Sequence, residues 1–315
     1  KSALQAYSQV CIPFIWHPTA SYADQPLLLL DNMVKRILLL IPLIIQGLCC
    51  NAQSDTVRVY IQVGNATMVD GIEIKTKSFT TSTSYNFQNQ VIFFKSNQPT
   101  VLRIINEDVI DHTLQFGPSY NFTVSSLTIL DTSVIFLTSG ILAIHDVNKV
   151  ERYLGLESIL SCASSTTLSY FWNLKEIQST FNEQLFDNQL VSFDSFRPNY
   201  FLINGYSNPA LANDTLSKIR GRVGDTLRLY IHNAGNSVHS LHFHGYHFTV
   251  ESSSIKPESV GWIKDTYAVL PKESLSLIIV PDKPGEYPVH DHNLVAVSAN
   301  SFYPNGMFTT IVITE

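Results

Sequence analysis

One stretch of this chain occurs twice, and that duplication limits the fold more than any other feature. Thr100-Val-Leu-Arg-Ile-Ile-Asn106 is followed, six residues on, by His112-Thr-Leu-Gln-Phe-Gly117. Thr226-Leu-Arg-Leu-Tyr-Ile-His-Asn233 is followed, at the same interval, by His239-Ser-Leu-His-Phe-His244. Gly140-Ile-Leu-Ala-Ile-His145-Asp146-Val-Asn148 likewise parallels Gly285-Glu-Tyr-Pro-Val-His290-Asp291-His-Asn293, and Gly155-Leu156 stands where Gly306-Met307 stands. The spacing is that of a tandem repeat. Both copies are written in short runs of β-branched, aliphatic and aromatic residues separated by turn residues, which read as strands. One series runs from Thr56–Val63 to Leu156–Leu160 and the second from Tyr200–Asn204 to Met307–Thr314, with His239–Val250 as one long strand. The expectation is an all-β chain of two tandem β-sandwiches, consistent with two domains in 315 residues.

Between the copies, residues 164–197 break the strand rhythm. Leu174, Ile177, Phe181 and Leu185 have partly helical spacing, so this segment is predicted to be a linker with one short helix packed on the sandwich. The first 52 residues read differently. Residues 1–32 show no pattern and look like translated upstream sequence. Met33-Val-Lys35-Arg36, the apolar run Ile37–Ile45 and the Asn51-Ala52-Gln53 junction match a secretory signal peptide over Met33–Ala52. That places the protein outside the cytoplasm, secreted or periplasmic, with no membrane span in the mature chain. The domain boundaries expected are 53–163 for the first sandwich and 198–315 for the second. Of Cys11, Cys49, Cys50 and Cys162, only Cys162 survives such processing, so no internal disulfide is expected. A formal charge of −6 argues against nucleic acid or an anionic lipid surface as partner.

Seven of the ten histidines fall between positions 232 and 292. On a strand, residues i and i+2 share a face, so His242 projects with His244, and His290 with His292. Two such pairs in one domain bring four imidazoles together, a nitrogen donor set suited to copper, with zinc as the alternative. The competing reading is that each ring is satisfied by buried hydrogen bonds. For His112 and His145 that structural role is the stronger reading, and His239 stands between the two. No nucleophilic serine constellation or phosphate-cradling glycine loop stands out.

The run His239-x-x-His242-x-His244-Gly245, with Pro284-Gly285-x-Tyr-x-x-His290-x-His292 and Gly306-Met307, resembles the last cupredoxin domain of the multicopper oxidases. Asn204-Gly205, Val223-Gly-Asp-Thr226 and His292-Asn-Leu294 are similar to the second domain of copper nitrite reductases. The resemblance covers residues 198–315 directly and the first copy through the repeat. It implies Greek-key cupredoxin sandwiches, an electron-transfer copper bound by a cysteine thiolate, and a histidine copper cluster between domains. It carries His239 to an electron-transfer ligand and His242, His244, His290 and His292 to the cluster, with Met307 as a weak axial ligand. The departures are sharp: Asp291 stands where the thiolate ligand belongs, Asp146 stands there in the first copy, and Ala296 replaces a further histidine. A blue copper centre needs the thiolate, so the resemblance implies a copper-binding protein with a histidine-only site. Its metal ligands are expected to be His242, His244, His290 and His292, with His239, and with His145 reaching the next subunit in a homotrimer of heterologous interfaces. An external electron donor or copper partner is then required for turnover. A copper-dependent oxidoreductase with an intersubunit cluster and a metal-free interaction module are the alternatives.

Overall fold

The computed structural model describes residues 55–88, 90–162 and 168–315, so the predicted upstream segment and signal peptide lie outside the described residues. The first sandwich contains β1 (Thr56–Thr67), β2 (Glu73–Thr80), β3 (Ile92–Phe93), β4 (Thr100–Asn106), β5 (His112–Phe116), β6 (Tyr120–Val124), β7 (Ile129–Val134), β8 (Ile141–Asp146), a short helix α1 (Lys149–Leu154) and β9 (Glu157–Ser161). Its two sheets have the strand orders β2-β1-β4-β7 and β3-β9-β8-β5-β6. The second contains β10 (Leu168–Ile177), helix α2 (Ser179–Phe186), β11 (Tyr200–Ile203), β12 (Arg220–Arg222), β13 (Leu227–Asn233), β14 (His239–Phe243), β15 (Phe248–Ser253), β16 (Ile263–Lys264), β17 (Thr266–Val269), β18 (Ser274–Ile279), β19 (Gly285–Asp291) and β20 (Phe308–Thr314). Its sheets run β11-β10-β13-β18-β15-β16 and β12-β20-β19-β14-β17. No helix among the described residues is long and apolar enough to cross a membrane.

The repeat seen in sequence is repeated in hydrogen bonding. Leu114, Gln115 and Phe116 of β5 face Asp146, His145 and Ile144 of β8 in the register that sets Leu241, His242 and Phe243 of β14 against Asp291, His290 and Val289 of β19. The Asn106 amide bonds the Ile110 and Val124 carbonyls, and the Asn233 amide bonds those of Ser237 and Val269. In each copy a first strand runs parallel to the strand that precedes the histidine, β1 with β4 and β10 with β13. The sandwiches fill with alternate strand residues, Val59, Ile61, Leu102, Ile104, Leu114 and Phe116 in the first and Leu227, Leu229, Ile231, Leu241 and Phe243 in the second.

Two sequence expectations are corrected. Leu168–Ile177 is not linker but β10, paired with β13 and β11. Its residues are buried on both faces, Trp172 and Leu174 in the second core and Phe171 against Ile159 and Tyr230. A strand covered on both sides loses the alternation that marks a half-exposed one. The helix is the short α2, whose Phe181 packs on Tyr153 of α1. The run His239–Val250 is two strands, broken by a turn at Gly245 (φ 80°), where a Cβ would lie 2.4 Å from the Tyr287 ring.

The sandwiches join through apolar contacts, Ala66, Met68 and Ile74 against Ile177, Tyr200 and Leu202, and through buried charge. Glu157 of β9 accepts from His232 Nε2 at 2.9 Å and pairs with Lys272 at 2.6 Å. Trp172 is fully buried, stacks on Phe243 with ring centroids 5.9 Å apart and donates its indole N–H to the Ser217 carbonyl. Trp172→Ala is expected to destabilise the protein by about 3–5 kcal/mol, read as a lowered urea midpoint; an unchanged midpoint would place this ring outside the cooperative core.

Candidate metal centre

The antiparallel pairing of β14 and β19 puts His242 directly opposite His290, both half-buried. His244 and His292 each lie one residue beyond their strand, and backbone bonds hold them in line: His244 N–H to the Pro288 carbonyl at 3.0 Å and His292 N–H to the Ser240 carbonyl at 2.7 Å. The four rings gather at the sandwich surface. Ring centroids are 4.6 Å apart for His242–His244, 5.2 Å for His244–His290, and 5.7 Å from His242 to both His290 and His292.

The ring nitrogens are sorted by their neighbours. His290 Nδ1 donates to the Asp291 carbonyl at 2.8 Å, which leaves the ring's lone pair on Nε2. That Nε2 lies 3.1 Å from His244 Nε2. His242 Nδ1 is held by Thr266 Oγ1 at 2.7 Å. Partial burial and the neighbouring His242 and His290 keep the pKa of His244 below its ordinary value, favouring the neutral, ligating form. With metal–imidazole bonds of about 2.0–2.1 Å, two nitrogens sharing one ion at roughly 90–110° sit about 2.9–3.4 Å apart, and the His244–His290 contact falls in that span. One pair of the four rings therefore stands at the spacing of two ligands on one ion, and the nitrogen donors are of the type copper takes. The set of four is gathered rather than closed: among the described residues, the His, Cys, Asp and Glu donors that meet three at a time within 4.8 Å are Asp108, His112 and Glu151. The two carboxylates of that trio already hold a cation, since Lys77 Nζ is 2.6 Å from both Asp108 and Glu151.

His239, expected among the metal ligands, is not in this group. It points to the opposite face of β14 and is clamped between two carboxylates, Nδ1 at 2.7 Å from Asp291 and Nε2 at 3.1 Å from Glu176, with all three residues at most 1% exposed. The first sandwich repeats the construction: His112 Nδ1 is 2.7 Å from Asp146 and Nε2 is 3.1 Å from Asp108. The second carboxylate has a different origin in each copy. Asp108 N–H bonds the Asn106 side chain, and in the second copy Gly235 N–H bonds Asn233 in the same way. A Cβ on Gly235 would lie 1.9 Å from Glu176 Oε2, so the missing side chain makes room for a carboxylate supplied from β10. Both ring nitrogens of His239 are taken, which is why it offers no ligand. Met307 and Ala296 are packed in the apolar core.

His145 is also apart from the four. It pairs with Gln115 across β5–β8 and with Glu157 across β8–β9, so it faces the chain's own second sandwich rather than outward. Its Nδ1 is buried without a hydrogen-bond partner, and burial lowers its pKa. The sequence reading missed Glu176, which lay in the supposed linker, and Thr266, which had no signal. The run of buried-strand residues around Glu176 was the one available clue.

Residues 183–314 match the family described as multicopper oxidase. A stretch of 79 residues, 25% of this chain, is 33% identical to the multicopper oxidase MmcO of Mycobacterium tuberculosis and covers 15% of that relative's length. Among solved structures, the blue copper oxidase from Nitrosomonas europaea is similar with a TM-score of 0.69 at 18% identity, over 82% of this chain and 86% of that one. The copper nitrite reductase from the same organism is similar with a TM-score of 0.62 at 14% identity, over 83% and 94%. At these identities the likeness is one of fold, the tandem cupredoxin sandwich.

The clamped imidazoles set a pH dependence. Burial opposes the charge on His239 and His112, and the carboxylates on either side outweigh it. Asp291 and Glu176 push His239 up to about 9, and Asp108 and Asp146 push His112 up to about 8. Folded pKa values above the ordinary 6.5 mean that this stability is complete below pH 6.5 and is lost as pH rises through 8 and 9. Metal-free protein is expected to melt at falling temperature over that window, and a His112→Gln/His239→Gln variant to show a flatter profile. Parallel profiles for the two proteins would contradict the assignment.

Proposed function

We propose that this chain, a member of the multicopper oxidase and copper nitrite reductase superfamily by its fold and by the sequence of residues 183–314, is an exported protein that binds copper through His242, His244, His290 and His292. It does so without a thiolate electron-transfer centre. The observation that carries this reading is the 3.1 Å approach of His244 Nε2 to His290 Nε2, with His290 fixed by its bond to the Asp291 carbonyl. Copper bound there would supply redox or Lewis-acid chemistry. The chain's own residues hold the rings: Thr266 fixes His242, the Asp291 carbonyl fixes His290, and the His244–Gly245 turn presents its ring from the strand end. Zinc is admitted by the nitrogen donors, but MmcO and the two Nitrosomonas europaea proteins are all described by copper.

No thiol lies beside the site among the described residues. Asp291 occupies the place of the thiolate ligand, and Cys162 is buried in the first core, its pKa pushed up to about 11 by burial. The thiolate is what gives blue copper its character. Electrons would then have to arrive from an external donor docking near the exposed His244 and His292.

A second reading, an oxidoreductase that completes its centre between subunits, is favoured by the packing inside the chain. The His145–Glu157 face of the first sandwich is covered by the second through His232 and Lys272. The equivalent face of the second sandwich carries the four histidines, two of them exposed. A neighbouring copy's first sandwich could cover that face in the same sense, and repeating the step around a threefold axis closes a homotrimer.

Calorimetric titration with Cu(II) is expected to find one tight site per chain. A His244→Ala/His290→Ala variant should weaken it by more than the about 10- to 100-fold that loss of an outer partner costs. The copper-loaded protein is expected to show no intense blue absorption. Three or more coppers per chain with oxidase turnover would favour the second reading, and the absence of a tight site would leave a metal-free interaction module.

A further inference from the structure

We propose that Asp291 and His239 are positioning residues for the four-histidine site, their buried ion pair tying β14 to β19 and so fixing His290 and His292. The inference rests on the copper-binding reading. Asp291 acts through three atoms. Its Oδ2 meets His239 Nδ1 at 2.7 Å, its Oδ1 accepts the Asn293 N–H at 2.8 Å, and its carbonyl accepts His290 Nδ1–H at 2.8 Å. The first bond joins the two strands that carry the ligands. The second sets the turn on which His292 stands, and the third orients the ring that faces His244.

The clamp extends to a third strand. His239 Nε2 meets Glu176 of β10 at 3.1 Å, and Glu176 is itself held by the backbone N–H groups of Asn236 at 2.5 Å and Ser237 at 2.7 Å. Asp291 and Glu176 are 0% and 1% exposed, so water does not compete for these bonds. A charged, fully hydrogen-bonded pair in such surroundings holds its geometry tightly, and loss of one partner leaves the other charge buried and unpaired. Since Asp291 lies between His290 and His292 in the chain, any relaxation of its backbone moves both rings.

The first sandwich supplies a matched control. There His112 and Asp146 are also 2.7 Å apart, and Asp146 Oδ1 accepts the Asn148 N–H at 2.7 Å, but Gln115, Gly117 and Val147 stand where three of the four histidines stand. Asp146→Asn therefore removes an equivalent strut from a copy without the histidine set.

The test is titration of the full chain with copper(II) chloride, alongside thermal melts, for the unaltered protein, Asp291→Asn, His239→Gln and Asp146→Asn. Asp291→Asn and Asp146→Asn are expected to lower the melting temperature by similar amounts. Only Asp291→Asn and His239→Gln should weaken Cu(II) binding, by about 10- to 100-fold, and alter the Cu(II) electron paramagnetic resonance spectrum. His239→Gln carries the test if Asp291→Asn does not fold. Equal affinity in all four proteins, or equal loss in Asp146→Asn, would overturn the proposal. An unaltered protein without a Cu(II) site would instead sink the copper-binding reading, and this inference with it.

Discussion

The register between β14 and β19 is the constraint on which everything else in the second sandwich depends. With Leu241 against Asp291 and His242 against His290, the two-residue period of a strand sends the histidines to one face and the His239–Asp291 pair to the other. A slip of one residue would bury the ligands and expose the ion pair. The pairing thus divides one short sequence into a surface nitrogen cluster and an interior salt bridge, and each side restrains the other.

In both sandwiches the buried histidine is held by the protein's own carboxylates. His112 and His239 are held between carboxylates at matching distances, and Lys77 bridges Asp108 and Glu151. At the junction of the sandwiches, Glu157 holds both His232 and Lys272. Buried carboxylates without such partners would carry a desolvation penalty of several kcal/mol each. Paired charges and hydrogen bonds tie the strands of each sandwich together, whereas the rings of His242, His244, His290 and His292 at the surface of the second have no carboxylate partner among the described residues.

The fold was readable because the repeat preserves short, patterned strings: Asn106 six residues before His112 and Asn233 six before His239, then His145-Asp146 and His290-Asp291. Strand periodicity set His242 with His244 and His290 with His292, and the pairing of β14 with β19 brings the two pairs together. What stayed hidden depends on parts of the chain far apart in sequence. β10 is covered on both faces, so its strand pattern vanished and Glu176 with it. The second clamp on the imidazole comes from Asp108 in one copy and from β10 in the other, and no local string records that exchange. His239 was expected at copper because a resemblance transfers positions, whereas the carboxylates that occupy both its nitrogens are visible only in space. His145 was expected to reach a neighbour, but the docking of the two sandwiches turns it inward.

The most direct measurement is anomalous diffraction at the copper edge from crystals grown or soaked with Cu(II). If the four histidines hold the ion, the peak lies about 2.0–2.1 Å from Nε2 of both His244 and His290, with His242 and His292 rotated toward it and no peak near His239 or His112. Copper found instead against the buried carboxylates, or no ordered copper at the four histidines, would contradict it.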